Sequence, residues 1–145
     1  MSLLLSRKNF DMLESVSEQQ SNHRYAPGKW SIKQIIGHMA DHERIMMYRA
    51  LRFSRKDKTA LPGYEQDLFV ENGGFDDFLF TDLVQDFRNV RNSTISFMTM
   101  LSDDQLRYAG SASGQQLSVE DVLKATAGHE IHHINILKER YLRNL

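Results

Sequence analysis

From Ser118 to Leu137 the chain repeats apolar residues at the 3.6-residue spacing of a helix, and nowhere does it sustain the period-two alternation of a half-buried strand. That contrast narrows the fold more than any other feature. Helical signal returns in three earlier segments. The first lies around LLLSRKNFDMLESV and gives way to a polar stretch, SEQQSNHRYAPGK, punctuated by Pro27-Gly28. The second opens at Ser31, where Ser31-Ile32-Lys33-Gln34 forms a capping-box pattern, and runs to about Ser54. The third begins near Thr81, with Asp82 in its first turn, and runs to about Leu101; a capping-box pattern at Ser102-Asp103-Asp104-Gln105 adds a short turn after it. The fourth opens at Ser118, with Asp121 three residues on, and reaches almost to the end. An all-α four-helix bundle is expected, with residues 1–145 as a single domain. The connection from about residue 56 to residue 80 exceeds the roughly two to eight residues that join neighbouring antiparallel helices. It should therefore cross the bundle and set the second and third helices parallel. Loops of this length often line a site.

Composition excludes more than it suggests. A chain of 145 residues buries roughly 70% of the surface its unfolded form exposes, enough for a core without staples. Cysteine is absent, which removes disulfides, thiolate ligands and a cysteine nucleophile together and fits a reducing compartment. The apolar run in MSLLLSRKNF is far short of a signal-peptide core, and no run approaches the ~20 residues that span a bilayer. A cytoplasmic protein with no membrane partner is expected. Eighteen basic and nineteen acidic residues leave a net charge of −1, and the densest basic stretch, RALRFSRKDK, reads as a solvated helix end complementing the helix dipole. Nucleic acid is not an expected partner.

Histidine is the chemically unusual residue. Gly-His-x-x-x-His occurs twice, at Gly37-His38 to His42 and at Gly128-His129 to His133. At about 100° of rotation per residue, Thr126, His129, His133 and Ile136 fall within about 40° of Val122. Two imidazoles therefore sit one turn apart in the middle of an apolar stripe, while His132 lies about 80° off, near the polar border. Burying such groups costs free energy unless something satisfies them. Hydrogen-bond partners would serve, and so would a divalent metal taking one nitrogen from each ring. On the second helix, Ile32, Ile35, Met39, Met46, Ala50 and Phe53 share one arc. His42 lies at its edge and His38 about 40° further round, so periodicity slightly prefers His42 and does not choose between them. Glu43 falls inside the arc, where a carboxylate is rarely unpaired, and is a candidate for supporting the site or linking helices. His129-Glu130-x-x-His133 matches the zincin pattern literally, yet the twelve residues after His133 contain no histidine to complete it.

Taken together, WSIKQIIGHMADHE, LPGYEQD and SVEDVLKATAGHEIHH resemble the DinB-like superfamily, in order and over nearly the whole chain. The resemblance implies a bundle of up-down-down-up topology, commonly a homodimer, with a divalent metal held by three histidines. Those positions match His38, His129 and His133 here, and the position matching His42 varies in the family, which makes His42 a pocket-lining residue. Three neutral imidazoles leave a coordination position open, as in catalytic rather than structural zinc sites. Zinc or nickel is expected first, with iron or copper also compatible with nitrogen ligands. Members of the superfamily include S-transferases and an isomerase that use low-molecular-weight thiols such as bacillithiol or mycothiol; many others carry only a provisional metal-dependent hydrolase label. The expectation is thus an enzyme whose metal activates water or a thiol cosubstrate against a small electrophile, as hydrolase or transferase. Tyr64 and Asp67 in the crossover segment, and Arg49 beyond His42, are further pocket candidates, and no general acid or base is assigned. The alternative is a stress-response protein that binds a metal or ligand without turning it over. A third reading is a purely structural dimer with satisfied histidines.

Overall fold

Three serines decide where helices begin. Ser31, Ser102 and Ser118 each accept a hydrogen bond from the backbone N–H three residues on, and Gln34, Gln105 and Asp121 reach back to the serine's own N–H. Each pair satisfies two amide groups that a helix start leaves without partners. The computed structural model describes residues 3–143. Its long helices are α1 (Leu3–Glu14), α2 (Ile32–Ser54), α4 (Phe80–Thr99) and α6 (Val119–Ile136); α3 (Gln66–Gly73) and α5 (Asp103–Arg107) are short. Leu137–Tyr141 continues α6 as a wider, π-type turn.

Cross-helix pairs fix the directions. Early α4 lies beside early α2 and late α4 beside late α2: Arg44 binds Asp86 at 2.6 Å, and Phe97 and Met98 pack with Met46 and Ala50. These two helices run parallel, as the length of their connection requires. α6 opposes α2, since Val119 and Val122 pack near Ala50 and Phe53 while the Tyr141 hydroxyl donates to the Trp30 carbonyl at 2.6 Å. α1 opposes α4, with Glu14 bound to Arg88, the rings of Phe10 and Phe87 5.1 Å apart, and Glu18 accepting from the Phe80 N–H at 3.0 Å. The result is up-down-down-up.

The crossover is ordered along its length rather than bare loop. It contains α3 and a 3₁₀ turn at Phe75–Asp77, and Asp76 ties it to the start of α2 by accepting from Ser31 Oγ and Arg24, both at 2.5 Å. One element runs against the sequence reading. β1 (Ala109–Ala112) and β2 (Gln115–Ser118) form an antiparallel hairpin, joined through Ser113 and Gly114 at φ of 52° and 76°. Positive φ at both central residues is the tight turn that matches strand twist, and four residues per strand are too few to show a period. Leu61 extends the hairpin as a single parallel bridge to Ala112.

Two apolar cores result. One gathers Ile32, Ile36, Phe87, Ile134, Leu137 and Tyr141; the other gathers Met46, Ala50, Phe53, Ala112, Val119 and Val122. On α6 the two cores change over between Leu123 and Ile134, the span that holds His129 and His133; on α2 they change over between Ala40 and Met46, around His42, with His38 one residue before Met39 at the end of the first core. Among the described residues, no helix is long and apolar enough to cross a membrane.

Candidate metal centre

Because α2 and α6 run antiparallel, one turn of each meets one turn of the other at the middle of the bundle. His38 on α2 is 1% exposed, and its Nε2 lies 2.9 Å from His129 Nε2 on α6. His133 Nε2 lies 3.1 Å from the same atom. Two nitrogens bound to a tetrahedral zinc at about 2.0–2.1 Å stand roughly 3.3 Å apart, so both contacts to His129 are near that separation, and ring nitrogens of all three lie within 4.8 Å of one another. Three imidazole nitrogens aimed at one point form a poor hydrogen-bond network, because each contact needs one ring to donate and the other to accept. As a donor set for a divalent ion they fit. Burial pushes His38 and His133 down to about 4; burial, then the neighbouring His42, His133, His38 and His132, pushes His129 down to about 2. At neutral pH all three are therefore in the unprotonated form that ligates metal.

His42 stands beside the cluster, not in it. Its ring stacks on His129 with centroids 3.6 Å apart, its Nδ1 is 2.9 Å from the Tyr64 hydroxyl, and its buried Nε2 has no hydrogen-bond partner among the described residues. The slight preference of the helical wheel for His42 is corrected here. α2 packs against both α4 and α6, so the centre of its apolar arc points between the two neighbours and does not mark the face toward α6.

The other candidates separate into distinct surroundings. Glu43, 2% exposed, accepts from Arg91 Nη2 at 2.8 Å and from Thr94 Oγ1 at 2.8 Å on α4. Arg91 Nη2 also lies 3.1 Å from Glu130 Oε2, so one guanidinium joins α2, α4 and α6. Glu130 is thereby committed to a helix-linking ion pair, which leaves the H-E-x-x-H match without its general base. Arg49 is buried and donates to the Pro62 carbonyl at 3.1 Å and to Ser113 Oγ at 3.4 Å, pinning the crossover and the hairpin turn to α2. Tyr64 is half-buried, and burial raises its hydroxyl above the usual tyrosine range. Asp67 is exposed on α3, close enough for its charge to pull the His38 value upward against burial. His132 is exposed, as the wheel expects.

A cleft of about 270 Å³ opens beside His133, with Trp30, Tyr141, Tyr25 and Asp67 in its walls. Trp30 covers the cluster from this side, its ring 4.9 Å from His38 and stacked 6.5 Å from His133. Sequence reasoning took Trp30 only as part of a helix start and missed Arg91 altogether. A signal existed for the second: Phe87, Arg91 and Thr94 recur at helical spacing within a buried stripe, and Glu43 in an apolar arc required a cation opposite it.

Comparison with known proteins follows the same outline. The sequence profile of the DinB superfamily matches residues 3–137. A protein of Oceanobacillus iheyensis named as a candidate metal-dependent hydrolase, OB0413, is 22% identical over 131 residues, covering 88% of this chain and 74% of its own length. Among solved structures, YfiT from Bacillus subtilis, described as a candidate metal-dependent hydrolase with an unusual four-helix bundle topology, superposes with a TM-score of 0.70. It shares 19% identity and covers 99% of this chain and 89% of its own, a likeness of fold.

Proposed function

This chain belongs to the DinB superfamily, and we propose that it is a metal-dependent enzyme in which His38, His129 and His133 hold one divalent ion beside a small-molecule cleft. The observation that carries this reading is that ring nitrogens of His38, His129 and His133, from two helices, all lie within 4.8 Å of one another. The names given to OB0413 and YfiT support the same class of chemistry. Held by His38, His129 and His133, a divalent ion would supply Lewis acidity, making water or a low-molecular-weight thiol a competent nucleophile near neutral pH. Zinc and nickel are the first ions to test, although the nitrogen set is also compatible with iron and copper. Any thiol is a cosubstrate, because the chain has no cysteine.

The protein's own residues supply geometry. Burial keeps the imidazoles neutral and ready to ligate. Tyr64 fixes the His42 ring, and His42 in turn braces the face of His129. The Glu43–Arg91–Glu130 bridge holds α2 and α6 at the spacing that lets their histidines meet. Trp30 shields His38 from water, while the cleft beside His133 leaves room for a small electrophile. With three ligands and an adjoining cleft the site has the open form of catalytic centres. The chain acts as a homodimer in this reading.

A binding protein without turnover is the second reading, favoured by the unpartnered Nε2 of His42, which could close the shell as a fourth ligand. Activity separates the two. Zinc- or nickel-loaded protein is expected to accelerate either thiol addition to 1-chloro-2,4-dinitrobenzene or hydrolysis of an activated ester, with His129→Ala at the rate of metal-free protein. Equal rates for loaded wild type and His129→Ala in both assays would remove the enzyme reading.

A further inference from the structure

The cleft beside His133 holds two cations, Lys29 and Arg140, that meet no carboxylate among the described residues. Lys29 Nζ lies 5.9 Å from the centre of the Tyr25 ring; Arg140 Cζ lies 5.5 Å from it, and Arg140 Nη1 donates to the Tyr25 hydroxyl at 3.1 Å. Both line the cleft, and neither has a carboxylate within ion-pair distance among the described residues. Nearby Arg24, by contrast, is paired with Asp76. Asp67 also lines the cleft, and its charge is felt at His38, which sets it toward the histidines. One carboxylate against two cations leaves the cleft net positive. Like charges gathered around one tyrosine repel each other unless an anion joins them.

The remaining walls are aromatic. Tyr25 meets Tyr141 edge to face at 5.0 Å, and Trp30 lies between this pair and the histidines. The Tyr141 hydroxyl is spent on the Trp30 carbonyl, so the rings present π surface more than hydrogen-bonding groups. At about 270 Å³ the cleft falls just below the usual range of small-molecule sites, too small for a peptide or polymer.

We propose that the cleft binds a small organic carboxylate with a planar, ring-bearing body, its carboxylate between Lys29 and Arg140, its ring against Trp30 and its reactive end toward His133. The inference rests on the enzyme reading for the meaning of that reactive end, and on Lys29, Arg140 and Trp30 for the binding itself. Arginine suits the task because its fork donates to both oxygens of a carboxylate.

Trp30 is the chain's single tryptophan, so its fluorescence reports on the cleft directly. The purified protein, zinc-loaded and metal-free, is titrated with benzoate and with benzamide, its neutral counterpart of similar shape. Benzoate is expected to give a saturable change in both forms, and benzamide to bind at least about tenfold more weakly, the cost of losing a charge-assisted hydrogen bond. Lys29→Met/Arg140→Met should bind benzoate no better than benzamide, and His129→Ala should still prefer benzoate. Lys29→Met alone, at an exposed position, should show a partial loss should the double variant melt early. Equal affinities in the wild type, or no saturable change with benzoate, would overturn the proposal. So would benzoate binding that needs zinc and His129 but survives in the double variant, since that marks a ligand of the ion alone and leaves the metal reading standing. Preference for benzoate in a protein that takes up no metal would support the cleft and remove the enzyme reading instead.

Discussion

Gly37 lacks a side chain because the ring of Phe75 occupies its place: a Cβ there would come within 2.4 Å of the ring. That contact seats the 3₁₀ turn of the crossover against α2, one residue before His38. Gly128, which precedes His129 in the same Gly-His pattern, faces open space. The two glycines should therefore respond oppositely to alanine. Gly128→Ala is expected to stabilise the protein by up to about 1 kcal/mol through helix propensity. Gly37→Ala gains the same propensity but must displace Phe75, and overpacking costs typically about 1–3 kcal/mol, so net destabilisation is expected. Phe75→Leu in the Gly37→Ala background should recover part of the loss. Urea unfolding of the three variants checks this, and a stabilising Gly37→Ala would contradict the packing described. The sequence shows a repeated motif here and hides that its glycines differ, because the difference lies in a ring thirty-eight residues away. The histidines divide similarly: His129 and His133 were legible from their own helix, whereas the choice of His38 over His42 came from the family pattern.

At the scale of elements, one largely buried cation bridges α2, α4 and α6. Arg91 joins Glu43 and Glu130, with Thr94 completing the contacts of Glu43. Arg91→Met would leave two buried carboxylates without their cation, and breaking a buried pair in this way costs about 3–5 kcal/mol. Replacing all three with apolar or neutral residues, as Arg91→Met/Glu43→Gln/Glu130→Gln, should restore much of the loss, because the desolvation cost disappears with the charges. Chemical denaturation measures both. A single Arg91→Met that is neutral would show that the bridge does not brace the helices. Helix starts were the most readable elements, since Ser31, Ser102 and Ser118 carry their partners three residues on and all three capping boxes form. The hairpin was not readable: its stability comes from the Ser113-Gly114 turn and from Leu61 of a distant segment, neither of which leaves a periodic trace. Arg91 carried no signal of its own; its place follows from Glu43, the carboxylate in an apolar arc that it meets across α2 and α4.

For the whole molecule, topology followed from one length. A connection spanning roughly residues 56 to 80 cannot be the short turn of an antiparallel pair, and the parallel course of α2 and α4 is its consequence. That course leaves α6 to close the bundle against α2 in the opposite sense, bringing His129 and His133 to the level of His38. The cluster is a product of this arrangement: two of its histidines come from one helix turn, the third from another helix, ninety-one positions before His129. The cleft has no such signature, because Tyr25, Lys29, Trp30 and Arg140 come from opposite ends of the chain and only folding joins them. The central claim is that the joined histidines hold an ion, and metal content by inductively coupled plasma mass spectrometry on tag-free protein tests it most directly. The account predicts about one divalent ion per chain, lost in His38→Ala and in His129→Ala and retained in His42→Ala. Absence of metal from every sample after reconstitution with zinc and with nickel would contradict it and leave the three histidines as structure.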